Sequence, residues 1–276
     1  MLNPNKTQAV VVIPVYKDKI RDTEILSFRQ VLKVLSRHPI CLVTYPELDC
    51  SCYYDICKEM GVQISRENFP RYFFAGISGY NKLCLSFRFY YRFREFDYML
   101  IYQLDAYVFK DELTHWCQKG YDYIGAPWFD GFRTYESAPK ILGVGNGGFS
   151  LRKIRYFLRL LWWPFPLFRP LKKVEFDTAA LTSPITFAKR ILKLFGVRNS
   201  IQYYKKKGRA NEDFVISFVL KDSFTPPIIP SVYEAAHFSI EASPRYLVGL
   251  NNGTLPFGCH AFQKFDFDFW KQYMNI

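Results

Sequence analysis

The 276 residues contain no uninterrupted apolar run approaching the ~20 needed to cross a bilayer, so no membrane-spanning helix is expected. The first residues lack a basic segment followed by a longer apolar one, so no secretory signal is expected either. No Ser/Gly-rich linker and no internal repeat divides the chain, which is long enough to bury a large core, so one domain over 1–276 is expected. The seven cysteines, Cys41, Cys50, Cys52, Cys57, Cys84, Cys117 and Cys259, include no CxxC pair to suggest a zinc site. Their odd number, and the apolar segments several of them sit in, predict reduced thiols in a cytoplasm.

Acidic residues are scarce in one place. Between Arg152 and Arg209 only Glu175 and Asp177 face fifteen Lys or Arg, so this segment carries +13 and the rest of the chain −1 of the net +12. A basic insertion over 151–210 in a near-neutral domain is therefore expected. Leu151 to Leu161 places Ile154, Phe157, Leu158 and Leu161 on one helical face and Arg152, Arg155 and Arg159 on the other. Ala188, Ile191, Leu192 and Phe195, with Lys189, Arg190 and Lys193 opposite, repeat the design. Trp162, Trp163, Phe165 and Phe168 lie between them. Basic amphipathic helices beside aromatic residues suit an anionic membrane surface; an ordinary surface helix with solvated lysines is the plainer alternative. Nucleic acid is not expected, because that reading wants aromatics interleaved with Lys/Arg on a platform.

The remainder alternates strand and helix. Ala9 to Tyr16 is an apolar strand ending at Pro14 and opening into a loop, and Asp22 to Leu35 has helical spacing at Ile25, Phe28, Leu32 and Leu35. Ile40 to Tyr45 is a second strand, Asn81 to Phe93 a second helix, and Tyr98 to Phe109 reads as one long buried strand. This order predicts an α/β fold with a mostly parallel sheet and helices on both faces. Asp105 interrupts the last strand. A lone acid there is costly unless it meets a cation or sits at an open strand end, and ligands in open α/β sheets bind beyond the carboxyl ends of strands. Asp105 is thus the first candidate for a metal or substrate site, with a turn-capping role as the alternative.

Three more segments suit chemistry. Gly143-Val144-Gly145-Asn146-Gly147-Gly148 puts four glycines in six positions, so the backbone can approach a ligand closely, although it matches neither GxGxxG after a first strand nor a phosphate loop. Glu212 and Asp213 open a helical stretch with Val215, Phe218 and Val219, where acids also serve simply as caps. His260 follows Gly258 and Cys259 in a stretch read as a loop, and its imidazole can bind metal or be structural.

Taken in order, these segments resemble the GT-A glycosyltransferases, which use nucleotide sugars on a Rossmann-like core. The resemblance covers most of the chain except the basic insertion. Gln103-Leu104-Asp105 stands where that family has Asp-x-Asp, Gly145 to Arg152 stands for its glycine loop, Glu212-Asp213 for its acidic pair and His260 for its late metal-binding His. The segments Tyr102-Gln103-Leu104-Asp105-Ala106-Tyr107 and Gly258-Cys259-His260-Ala261-Phe262 look closest to an uncharacterised bacterial family found among polysaccharide-biosynthesis enzymes. Gln103 departs from the motif: it can bond a ribose hydroxyl but adds no charge.

The resemblance implies transfer of a sugar from a nucleoside-diphosphate sugar, expected to be a UDP-sugar, to a saccharide or lipid-linked acceptor, with inversion. It implies Mn²⁺ or Mg²⁺ held by Asp105 and His260. Pro14, Val15, Tyr16, Lys82, Gln103 and Asp105 would bind the donor. Trp128, Asn146, Gly147 and Gly148 would face the acceptor. Asp213, with Glu212 second, would act as general base. A cytoplasmic enzyme resting on the inner face of a membrane is the expected location. A catalytically inactive, membrane-associated carbohydrate-binding protein is the alternative that Gln103 leaves open.

Overall fold

Five apolar residues, three of them Val, precede Pro14, and such a run favours an extended chain buried on both faces. In the computed structural model, which describes residues 8–130, 140–162, 184–207 and 211–274, they form β1, Ala9–Pro14. The other strands follow as β2 Ile40–Thr44, β3 Ser65–Asn68, β4 Tyr98–Tyr102, β5 Ala106–Val108, β6 Tyr123–Ile124, β7 Ala126–Phe129, β8 Ile141–Gly145, β9 Phe149–Lys153, β10 Ser239–Ile240 and β11 Gly258–His260. The central sheet has the order β3-β2-β1-β4-β9-β6. Its first four strands are parallel, and β9 runs antiparallel to β4 and β6. A second sheet, β10-β11-β5, and the pair β7-β8 stand beside it.

Side-chain alternation divides the core. Val11, Ile13, Leu100, Tyr102, Phe149 and Leu151 meet Phe28, Val31, Leu32 and Leu35 of the helix Asp22–Leu35 on one face. Val10, Val12, Met99 and Ile101 point the other way, onto Phe89, Tyr90, Phe157 and Leu160 from the helices Phe87–Arg92 and Ile154–Leu161. This is the expected α/β architecture with helices on both faces of a mostly parallel sheet.

Four readings of the sequence need correction. The single strand expected over Tyr98 to Phe109 breaks into β4 and β5, which belong to different sheets. The amide of Ala106 donates to the carbonyl of Gln103 (2.9 Å), closing a tight turn that carries Leu104 and Asp105. The buried Tyr102 hydroxyl donates to the carbonyls of Ala106 and Ser27, each at 3.0 Å, and holds that turn against the first helix. The helix expected over Asn81 to Phe93 is two, Gly76–Cys84 and Phe87–Arg92, because the Ser86 hydroxyl accepts from the amide of Phe89 and caps a new start. His260 lies on β11, paired with Ala106 of β5, and not in a loop.

The fourth correction concerns Arg152. The helix begins only at Ile154, and Arg152 sits on β9, fully buried. Strand alternation puts it on the same side as Ser150, whose hydroxyl accepts from its Nε at 3.1 Å. Its other nitrogens donate to the Tyr90 hydroxyl at 3.1 Å, to the carbonyl of Gly147 at 3.4 Å and to Glu212 Oε1 at 2.9 Å. Of the residues expected on the basic outer face of that helix, Arg155 and Arg159 are exposed as read. Trp163, Phe165 and Phe168, expected beside these helices, lie outside the described residues. All seven cysteines are free thiols and six are buried. Among the described residues, no helix is long and apolar enough to cross a membrane.

Breaking a buried pair strands the surviving charge at a cost of about 3–5 kcal/mol, whereas removing both partners costs far less. Arg152→Met should therefore lower the unfolding free energy by an amount of that order, read as a lower urea midpoint at unchanged m-value, and Glu212→Gln added to it should recover much of the loss. An Arg152→Met midpoint equal to wild type would contradict this account.

Candidate active site

A cleft of about 570 Å³ opens over the carboxyl ends of β1 and β4. Its lining includes Pro14, Val15, Tyr16, Gln103, Asp105, Trp128, Asn146, Gly147, Gly148, Glu212, Asp213 and His260. The structure thus brings together every candidate site residue except Lys82, which does not line the cleft; its neighbour Asn81 does. The cleft cations are Lys17, Arg21 and Lys264 instead. Lys17 and Arg21 are tied to Glu24 at 3.2 and 2.7 Å, and the Glu24 carboxylate also accepts from the Arg21 amide, bracing the start of the first helix.

At one end of the cleft the turn after β4 meets β11. Asp105 Oδ1 lies 3.1 Å and Gln103 Oε1 3.3 Å from His260 Nε2. On the far side of the ring, Nδ1 lies 3.1 Å from Glu241 Oε1. Burial alone would lower the imidazole pKa, but the carboxylates of Asp105 and Glu241 outweigh it and push it up to about 10, so a cation binding at Nε2 would have to displace a proton there. For Asp105, burial acts upward and the His260 charge outweighs it, holding the carboxyl below the usual carboxylate range.

The glycine loop closes the cleft floor. Glycine's freedom at positive φ is used here by Asn146 (φ 79°), whose Oδ1 accepts from the amides of Gly148 (2.8 Å) and Phe149 (3.3 Å). Gly147 and Gly148 are required for space. A Cβ on Gly147 would lie 2.1 Å from Glu212 Oε1, and one on Gly148 would lie 2.0 Å from His260 Nε2. The carbonyl of Gly148 accepts from the amide of Gln103 at 2.8 Å, so loop and turn are stitched together. Gly145 likewise leaves room for the Trp128 ring, which stacks on Phe218 at 5.5 Å.

Asp213 sits under this loop. Asn211 precedes a short helix, Glu212–Phe214, and Asn81 Oδ1 accepts from the amide of Glu212 at 3.2 Å, fixing its approach. The side chain of Asp213 accepts from the amides of Gly147 (3.1 Å, Oδ2) and Phe214 (2.8 Å, Oδ1). Burial, and then the charge of Glu212, push its carboxyl up to about 7. Glu212 is paired with Arg152, so the two adjacent acids differ: one is engaged by a guanidinium, the other is a buried carboxyl of raised pKa.

The donors around His260 suit a divalent cation. Carboxylate and amide oxygens with one imidazole match Mn²⁺ or Mg²⁺, which commonly take only one or two protein carboxylates and complete their shell with water and phosphate. Among the described residues no group of three or more His, Cys, Asp or Glu is placed to hold a metal, so such an ion would rest on Asp105, His260 and the Gln103 amide, with a ligand supplying the rest. Sequence reasoning missed Glu241, Lys17, Arg21 and Lys264. Glu241 follows a two-residue strand and carries no motif.

No curated protein sequence matches the chain. Among solved structures, core-mannan synthase A of Aspergillus fumigatus, in its Mn/GDP form, is similar at 9% identity and a TM-score of 0.50, over 82% of this chain and 72% of that one. The galactosyltransferase LgtC, solved with donor and acceptor sugar analogs, covers 91% of this chain and 86% of its own at 10% identity and a TM-score of 0.49. The mannosyltransferase Ktr4p of S. cerevisiae has 9% identity, 80% and 67% coverage and a TM-score of 0.45. At the level of fold, the chain is a GT-A-type α/β protein. Residues 63–260 match DUF5672, a family described as proteins of unknown function, and with that match spanning most of its length the chain belongs to this family.

Proposed function

We propose that the protein is a glycosyltransferase that moves a sugar from a nucleoside-diphosphate sugar, a UDP-sugar in our reading, to an acceptor hydroxyl with inversion. One observation carries this reading. A carboxylate–imidazole–amide cluster at one end of the cleft faces a buried carboxylate of raised pKa under a glycine loop with no space for a methyl group.

The roles follow from the chemistry. In the transfer, a bond forms between the acceptor oxygen and the anomeric carbon while the bond to the diphosphate breaks and negative charge grows on the leaving group. Asp105 and His260, with Gln103, would hold a divalent cation, which when bound neutralises that charge. Lys17, Arg21 and Lys264 add positive potential along the cleft. Pro14, Val15 and the exposed Tyr16 form the wall proposed for the nucleotide base. Asn146, Gly147 and Gly148 allow donor and acceptor to pass close to backbone, and Trp128 offers an apolar edge to a sugar ring. Asp213 takes the proton from the acceptor hydroxyl, and its value near 7 suits a base working at neutral pH.

The acceptor is a saccharide or a lipid-linked saccharide, and we place the protein at the cytoplasmic face of an anionic membrane. Trp162 is 68% exposed and packs on Phe87, which stacks on the exposed Tyr91. Ile191, Leu192, Leu194 and Phe195 are exposed beside Lys189 and Lys193 at the helix Pro184–Leu194. Cations near an anionic surface contribute about 1 kcal/mol each, and aromatic rings suit the interface.

Four outcomes are expected. Asp105→Asn should fold normally and lose at least about 100-fold in turnover, the usual worth of a group that stabilises transition-state charge; undiminished turnover would sink the assignment, and a wild-type protein that binds nucleotide sugars but transfers nothing would favour the inactive carbohydrate-binding alternative. The wild-type rate should rise with pH through about 7 as Asp213 ionises, because a base works only when deprotonated. Asp213→Asn should lower kcat by a factor on the order of 10²–10⁴ and flatten that rise while donor affinity stays unchanged; a profile that still rises, or a product with retained configuration, would remove Asp213 from this role. Anionic vesicles should sediment the protein at low salt and release it as salt increases; protein left in the supernatant at low salt would end the membrane reading.

A further inference from the structure

We infer that Glu241 is the positioning residue for His260, holding the ring so that Nε2 is presented to a divalent cation shared with Asp105. This rests on the metal reading given above and extends it to a residue outside every motif in the chain.

The argument begins with strand pairing. β10 and β11 are parallel, with Ser239 opposite Gly258 and Ile240 opposite Cys259. The next residues along each chain are Glu241 and His260, so the register delivers their side chains together at the end of the second sheet. Glu241 Oε1 then lies 3.1 Å from Nδ1, and the two side chains are only 14% and 12% exposed, which keeps competing water low. The opposite nitrogen faces Asp105 Oδ1 and Gln103 Oε1 at the cleft. The ring face has no slack either, since Gly148 lies so close that even a methyl group would collide with Nε2. The ring is therefore held at one nitrogen by a carboxylate, confined by the glycine loop, and open at the other nitrogen toward oxygen donors.

A metal-binding histidine needs this arrangement. The nitrogen away from the ion donates its proton to an acceptor, which fixes the tautomer and raises the basicity of the liganding nitrogen; losing such an acceptor typically costs 10–100-fold in metal affinity. Glu241 has the position and the chemistry of that acceptor. A purely structural counter-ion to His260 would need the same distance but would leave metal affinity untouched.

The test measures Mn²⁺ binding to the full chain directly, by isothermal titration and by the loss of the free-ion electron paramagnetic resonance signal, in the presence of UDP. Glu241→Ala should bind Mn²⁺ about 10–100-fold more weakly than wild type. Glu241→Gln, which can still accept from Nδ1 through its amide oxygen but carries no charge, should fall between the two and serves as the readout if the alanine variant does not fold. Asp105→Ala is the reference. Weakened binding in both Asp105→Ala and Glu241→Ala supports the proposal. Weakened binding in Asp105→Ala with wild-type affinity in both Glu241 variants overturns it and leaves the metal site standing. Wild-type affinity in Asp105→Ala overturns the metal site itself.

Discussion

Everything at the floor of the cleft depends on a guanidinium from which water is excluded. Arg152 is wholly buried, and its donors reach the glycine loop, the helix Phe87–Arg92 and the acidic pair at once. Such a pair is a poor source of net stability, because desolvation offsets most of the attraction. What it supplies is discrimination between two adjacent acids. Glu212 is engaged by the guanidinium, whereas Asp213 has only backbone donors, and burial beside the Glu212 charge raises its pKa. Two carboxylates that are neighbours in sequence thus acquire different chemistries from their surroundings alone.

The site lies on a seam. Gln103 and Asp105 belong to the turn where the chain leaves the central sheet and enters the second one, while His260 ends a strand of the second sheet and Glu241 directly follows another. The glycine loop spans the seam by hydrogen bonding to the turn on one side and packing against the imidazole on the other. Neither sheet contains the constellation by itself. Its geometry is set by how closely two backbones approach, and that distance is held by positions where a side chain would not fit.

Much of this frame is readable in the sequence, for physical reasons. β1 and the helix Asp22–Leu35 show as an uninterrupted β-branched run and a clean 3.6-residue period, because each buries a whole face. Asp105 shows because an acid at the end of an apolar strand needs an explanation. Other features do not show. Two-residue strands such as β6 and β10 are too short to carry a period. Arg152 reads as part of a basic helical face until its buried partner, sixty residues later, is seen to claim it. Glu241 is invisible because its meaning lies entirely in a strand register. The helical periodicity expected from Asn81 to Phe93 hides a break, since the apolar positions continue in phase across the cap at Ser86.

The pairing of β11 with β5 has a bearing on the order in which the protein comes into being. β5 is made early and lies at the edge of a sheet whose other strands are contributed only when Ser239–Ile240 and Gly258–His260 have left the ribosome. The parallel core of β1 to β4 can gather as soon as its own strands exist, whereas long-range pairing waits on chain that has not yet been made. A nascent chain can therefore own a nearly finished central sheet while its cleft lacks the imidazole and one of its carboxylates. Synthesis itself imposes a delay between folding and competence, and the last strand to arrive is the one that completes the cluster at Asp105.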